Sequence, residues 1–281
     1  MRWRSRALFL LLVQAAAFWP VWRWVAARVA DGSGDGAALA ACAAALLIRP
    51  PAGGPDTAGD SWFPFVPATV LTLLYAGAAA WGSPLLAAAI AFAALLVSWS
   101  AWRWGGRPHP GAIGLVLLAL PAVPTAQFLL GFPLRVAAGE IAARLLALGG
   151  LAVERQGALL RYGERVVAVD APCSGVHMLW TALLVGFALA VLGGLDRRRT
   201  ALLTLAAGGL ALAGNALRAA ALFLPESGLL TLPPGSHDGI GLTTFALTVL
   251  PLLLLWNRLR NDGVRAERST PRSSGVGVVS A

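Results

Sequence analysis

Apolar runs of about twenty residues, repeated along the chain between short polar stretches, set the tightest limit on what this sequence can fold into. Residues 84–102 (PLLAAAIAFAALLVSWSAW), for example, contain no charged side chain. A helix of about twenty apolar residues spans the hydrocarbon core of a bilayer. Eight segments have this character: 7–29, 34–48, 64–82, 84–102, 111–132, 174–194, 200–224 and 238–256. The whole chain is 58% hydrophobic and 12% charged, about half the charged fraction of a soluble domain. The expectation is an all-α, polytopic membrane bundle of about eight transmembrane helices. The second run is the weakest, being short and bracketed by Asp31, Asp35 and Arg49, and the first carries Arg23 and Arg28 late. The start, MRWRSRALFLLLVQAAAF, has the basic-then-apolar order of a signal peptide. Trp19-Pro20-Val21-Trp22-Arg23-Trp24 makes a poor small-residue cleavage site, so this stretch reads as a retained first span.

A net charge of +9 would suggest a nucleic-acid partner in a soluble chain. Here the basic residues flank apolar runs, which is a topology signal, and no nucleic acid is expected. All 22 are Arg, a bias we attribute to genomic base composition. Arg2, Arg4 and Arg6 precede span one, Arg103 and Arg107 follow span four, DRRRT (196–200) separates spans six and seven, and Arg258 to Arg272 follow span eight. With eight spans these all fall on one side, which is then cytoplasmic along with both termini. The stretch 134–172 carries five Arg on the other side, nearly balanced by Glu140, Glu154, Glu164 and Asp170.

That outer stretch has its own pattern. Residues 134–148 space apolar residues helically around Arg135, Glu140 and Arg144, as in an amphipathic helix lying on the membrane. LAVERQGALLRYGERVVAVDAP alternates apolar and polar residues around Gly157 and Gly163, which predicts short paired, hairpin-like strands before the sixth span. The chain then divides into a four-span region (1–109), a core (110–256) containing the insert 134–172, and a basic, Ser- and Gly-rich tail (257–281) expected to be disordered. Internal repeats, inverted or otherwise, are not recognisable.

Charged residues inside spans are functional candidates by default. Arg218, in GNALRAAALFL, lies toward the outer end of span seven, and Asn215, three residues earlier, shares its helix face. The bland alternative is an arginine that snorkels, or a polar pair that locks the bundle. Cys173, in VDAPCSGVHM, falls at the outer start of span six, and His237, in PPGSHDGIG, at that of span eight. Three consecutive spans thus bring a Cys, an Arg and a His to one membrane face, and antiparallel neighbours usually pack together. A cysteine at a helix N-terminus beside a cation has its thiol pKa lowered. Ser174 and Gly175 open that helix, and its first-turn N–H groups could hold an oxyanion. His237 can exchange a proton near neutral pH. His177, one turn beyond Cys173, could also reach the thiol, although His237 is the favoured base. His109 and Cys42 read as bland, and no Cys42–Cys173 disulfide is expected, because one is mid-span and the other at the surface. Cys173 as a small apolar filler stays open on these grounds alone.

VDAPCSGVHML, GNALRAAALF and SHDGIGLTTF, in that order, resemble the exosortase/archaeosortase family of polytopic membrane cysteine transpeptidases, over about residues 110–256. The resemblance implies an enzyme of the plasma membrane acting on exported proteins that carry a C-terminal sorting signal: a short motif such as Pro-Glu-Pro, one transmembrane helix and a basic end. It implies Cys173 as nucleophile forming a thioester, Arg218 as electrostatic partner, His237 as acid/base, and Asn215 as helper. His177 and Ser174 remain auxiliary candidates. The acceptor would be a lipid, a glycan or water; neither cofactor nor metal is implied, and the partners are the substrate proteins and membrane lipids. The competing classes are a transporter with Arg218 and Asn215 as an anion site, and a non-catalytic component of an envelope or exopolysaccharide export system.

Overall fold

The computed structural model describes residues 2–31, 39, 43, 47, 65–104, 107–169, 174–233 and 235–269. Helices α1 (Arg2–Ala17) and α2 (Trp19–Ala30) meet at 62°. Pro20, in the first turn of α2, has no N–H with which to continue the preceding helix. The bend buries Phe18 completely and sets its ring 4.4 Å from that of Tyr75. Helices α3 (Phe65–Trp81) and α4 (Pro84–Trp104) follow as an antiparallel pair. Apart from residues 39, 43 and 47, the expected second span, 34–48, lies outside the described residues, as does Cys42.

The expected fifth span, 111–132, is not one helix. It is α5 (Pro110–Leu118) and the first part of α6 (Val123–Leu148), which meet at 93°. Pro121 lies within the break and Pro124 in the first turn of α6, and neither has an N–H to donate to the turn before it. Backbone groups freed at a break inside an apolar run are costly unless protein satisfies them. Trp180 of the next helix answers one, its Nε1 donating to the Leu118 carbonyl at 3.2 Å. The amphipathic segment 134–148 is likewise no separate helix; it is the second half of α6, which continues through Pro133.

Helices α7 (Val176–Gly193), α8 (Arg197–Glu226) and α9 (Ser236–Ser269) complete the bundle. Among the described residues, four helices (α4, α7, α8, α9) are long and apolar enough to cross a membrane, and there are up to six crossings if each bent pair counts as one. The protein is a multi-pass, all-α membrane bundle. The last helix runs to Ser269, past the expected end of its span at 256, and residues 270–281 of the expected tail lie outside the described residues.

Small residues let the helices approach. A Cβ on Gly186 would sit 3.3 Å from that of Ala207, and one on Gly214 would sit 2.8 Å from Cε of Met178 and collide with Thr248. α7, α8 and α9 therefore converge on Gly214. In the N-terminal half the lock is polar. Gln14, 1% exposed, donates through Nε2 to Thr72 Oγ1 (2.9 Å) and accepts from Ser98 Oγ (2.7 Å), tying α1 to α3 and α4.

Between α6 and α7, where short paired, hairpin-like strands were expected, lie three short antiparallel strands, β1 (Glu154–Gln156), β2 (Leu159–Tyr162) and β3 (Arg165–Ala168), in that spatial order. Gly163 has φ +58° in the β2–β3 turn, the left-handed backbone that two-residue hairpin loops require. Leu160, Val167 and Val169 turn inward onto Ala142 and Leu146 of α6 and onto Ala219, Ala220 and Phe223 of α8. Arg165 donates to the Ser227 carbonyl just past α8. The sheet thus covers the C-terminal end of α8. At the opposite end of the bundle, Trp256 packs against Gly193, Arg199 against Gly263, and His109 near Leu195. This second end gathers the basic loops.

Candidate functional site

Four of the expected site residues, Ser174, Asn215, Arg218 and His237, are linked by close contacts and one-turn helical spacings, beginning at the entry to α7. Gly175 caps that helix with φ +83°, in a region open to glycine at no steric cost. A Cβ there would lie 2.7 Å from Nδ2 of Asn215, so the backbone at the start of α7 rests directly on α8. Ser174, 1% exposed, donates its hydroxyl to Oε1 of Gln127 on α6 at 3.0 Å. Cys173 itself lies outside the described residues; it is joined by a peptide bond to Ser174.

Asn215, 2% exposed, leads one turn along α8 to Arg218. The guanidinium of Arg218 lies over Gly241 of α9, where a Cβ would be 3.5 Å from Nε and 3.8 Å from Cζ. Its Nε is buried with no hydrogen-bond partner among the described residues. A guanidinium with a buried Nε left unpaired favours an acceptor or anion brought to it, since a buried donor without a partner is costly. One turn before Gly241 on the same helix is His237, 51% exposed. Its nearest carboxylate, Asp238 at 4.0 Å, is itself 98% exposed and does not hold the ring as a buried carboxylate would.

His237 and Leu222, the residue one turn beyond Arg218, face a cleft of about 290 Å³ that also touches Pro225, Glu226, Pro233 and Ile240. The cleft is mostly apolar with an imidazole and a carboxylate at its rim. The arrangement supplies a permanent cation, a proton carrier and a helix N-terminus at one end of the bundle, away from the basic loops.

His177 is placed differently. It is exposed in the first turn of α7, whereas Val176 is buried and Met178 faces Gly214 of α8. Three residues of the site were not singled out from the sequence: Gln127, Gly241 and Arg165. Gln127 had a signal, as a lone carboxamide in the apolar run 111–132. Gly241 and Arg165 had none, because their roles depend on which helix and which turn they meet.

A sequence model of the family described as Transmembrane exosortase (Exosortase_EpsH) matches residues 3–256, and the chain belongs to that family. The match takes in the first four spans as well as the region that carries the three motifs. No curated protein and no solved structure matches the chain.

Proposed function

We propose that the protein is a membrane cysteine transpeptidase that cleaves the C-terminal sorting signals of exported proteins and passes the processed protein to an acceptor in the cell envelope. Membership of the exosortase family supports the class. The observation that carries the site assignment is the contact series from Gly175 to Asn215, and from Arg218 to Gly241 one turn from His237. Those contacts support a shared site at one end of the bundle for the peptide following Cys173, the half-buried arginine and the histidine.

In this reading the Cys173 thiolate attacks the carbonyl carbon of the scissile peptide bond, forming a C–S bond and an oxyanion. Arg218 and the first-turn N–H groups of α7 stabilise that charge. The C–N bond breaks as His237 gives a proton to the leaving amine, and the apolar tail departs with it. An amine, hydroxyl or water then attacks the thioester and loses its proton to His237, the C–S bond breaks, and the Cys173 thiolate and protonated His237 are restored. Asn215 seats the helix entry, and Ser174 fixes the peptide after the nucleophile. The site opens on the extracytoplasmic face of the plasma membrane and both termini are cytoplasmic, in keeping with the separation of the site from the basic end.

The test is processing of an exported reporter that ends in a Pro-Glu-Pro-type motif, an apolar helix and an Arg-rich end. Cys173→Ala, Arg218→Ala and His237→Ala are each expected to abolish processing while the chain stays in the membrane. Full processing by Cys173→Ala would end the transpeptidase reading. Retained transport of an anionic solute by that variant would favour a carrier instead.

A further inference from the structure

We infer that the edge of β3, which pairs with no further strand among the described residues, is a docking strand for the substrate polypeptide, which adds to the sheet as a fourth strand on the segment that leads toward Cys173. This rests on the transpeptidase reading above and deepens it by naming how the substrate is held.

The register fixes which backbone groups are available. Tyr162 pairs with Arg165 across a two-residue turn, Leu160 with Val167, and the Val169 N–H donates to the Ala158 carbonyl at 2.9 Å. Pairing alternates along an antiparallel ladder, so Arg165, Val167 and Val169 direct their N–H and C=O groups toward β2. Val166 and Ala168 direct theirs away from it, to the open edge. Both are exposed, Val166 at 51%, while Val167 and Val169 anchor the strand in the core. Unpaired strand groups of this kind are not tolerated against hydrocarbon, so the edge faces water or another polypeptide.

The two edges of the sheet differ in kind. β1 reads Glu154-Arg155-Gln156, and Arg155 is tied to Glu140 at 2.6 Å, the charged blunting by which sheet edges are usually protected. β3 offers a β-branched apolar residue and an alanine, with neither a proline nor an inward charge. Its position is also held from the site side, because Arg165 grips the Ser227 carbonyl at the turn that leads to the His237 cleft. Cys173 follows Ala168 by five positions along the chain, a covalent reach of at most about 18 Å. A strand of about five residues laid along this edge covers the same distance. Main-chain pairing of this sort binds an extended peptide with little regard to its side chains, which leaves selection to the cleft.

Proline at position 166 tests this, because there it removes only an outward N–H and leaves the ladder to β2 intact. With the same exported reporter, Val166→Pro is expected to slow processing at least about fivefold, the factor for one lost hydrogen bond. Val166→Thr keeps the N–H and is expected to stay within about twofold of the parent. Membrane abundance and thermal midpoint in detergent check that both variants fold. Unchanged processing by Val166→Pro, or equal loss in Val166→Thr, overturns the docking strand while Cys173→Ala still reports on the transpeptidase reading. A Val166→Cys chain that forms disulfides with a second copy, and not with a cysteine beside the reporter's motif, also overturns it. A reporter processed equally by parent and Cys173→Ala, or by neither, overturns the transpeptidase reading itself and the docking strand with it.

Discussion

The backbone of Gly175 and the carboxamide of Asn215 are so close that a Cβ on the first would lie 2.7 Å from Nδ2 of the second. Two independent constraints therefore fall on one residue, a positive φ and a lack of space. Gly175→Ala meets both, and backbone strain together with overpacking costs about 2–4 kcal/mol. The expected outcome is loss of processing with a lowered thermal midpoint in detergent. Adding Asn215→Ala relieves the clash and leaves the φ strain, so the double variant should recover part of the stability. Equal midpoints for single and double variants would show that the contact does not set the cost.

Arg218 and Gly241 yield a graded test. A Cβ at 241 would lie at ordinary contact distance from the guanidinium, 3.5 Å from Nε. Gly241→Ala is therefore expected to keep at least about half of the parental activity, with a helix-propensity gain of up to about 1 kcal/mol. Gly241→Leu places a branched chain where the guanidinium rests, and activity should fall at least about tenfold while the helix stays formed. Arg218→Lys should fare no better, because an ammonium cannot offer the planar, multiply donating group that the site holds. The measurement is initial processing rate at matched membrane abundance, and equal rates for Ala and Leu at 241 would remove this seat for the arginine.

The sequence made the membrane class legible because hydropathy alone separates lipid-facing helices from soluble ones. It also marked Arg218 and Asn215, since polar residues within apolar runs stand out. It could not show where the runs break. Pro121 and Pro124 lie in a stretch apolar enough to pass as one span, and the 93° turn depends on Trp180 reaching Leu118, a contact between residues 62 positions apart. Gly157 and Gly163 disclosed the turns of the sheet, but not that β3 would end up on its edge. Gly241 was invisible for a similar reason: an unremarkable glycine acquires meaning only when a guanidinium on another helix lies on it.

Gln14 separates the stability of the N-terminal half from the chemistry. Its three polar contacts join α1, α3 and α4: Nε2 donates to Thr72 Oγ1 and, at 3.4 Å, to the Ala68 carbonyl, and Oε1 accepts from Ser98. Interhelical hydrogen bonds of this kind in membrane bundles are worth about 0.6–2 kcal/mol. Gln14→Leu conserves volume and is expected to lower stability by about that amount without changing the processing rate per folded molecule. Thermal unfolding in detergent, read beside activity, checks it; a loss of activity with an unchanged midpoint would tie Gln14 to the site.

His109 contributes a pH dependence whose sign follows from its geometry. Its Nδ1 accepts from the Gly111 N–H at 3.0 Å, capping α5, so the ring must be neutral at that atom. Burial lowers its pKa from the ordinary 6.5, with the Leu195 carbonyl acting in the opposite direction. A folded-state pKa below the unfolded one means that the unfolded chain takes up the proton first. The stabilisation is complete above pH 6.5 and is lost as pH falls from there through the folded value. Stability in detergent should thus decline as pH falls from 6.5 toward about 5. His109→Asn keeps a capping acceptor that does not titrate. It should retain most of the stability at neutral pH and flatten this part of the decline. An equally steep decline in the Asn variant would assign the effect to other groups.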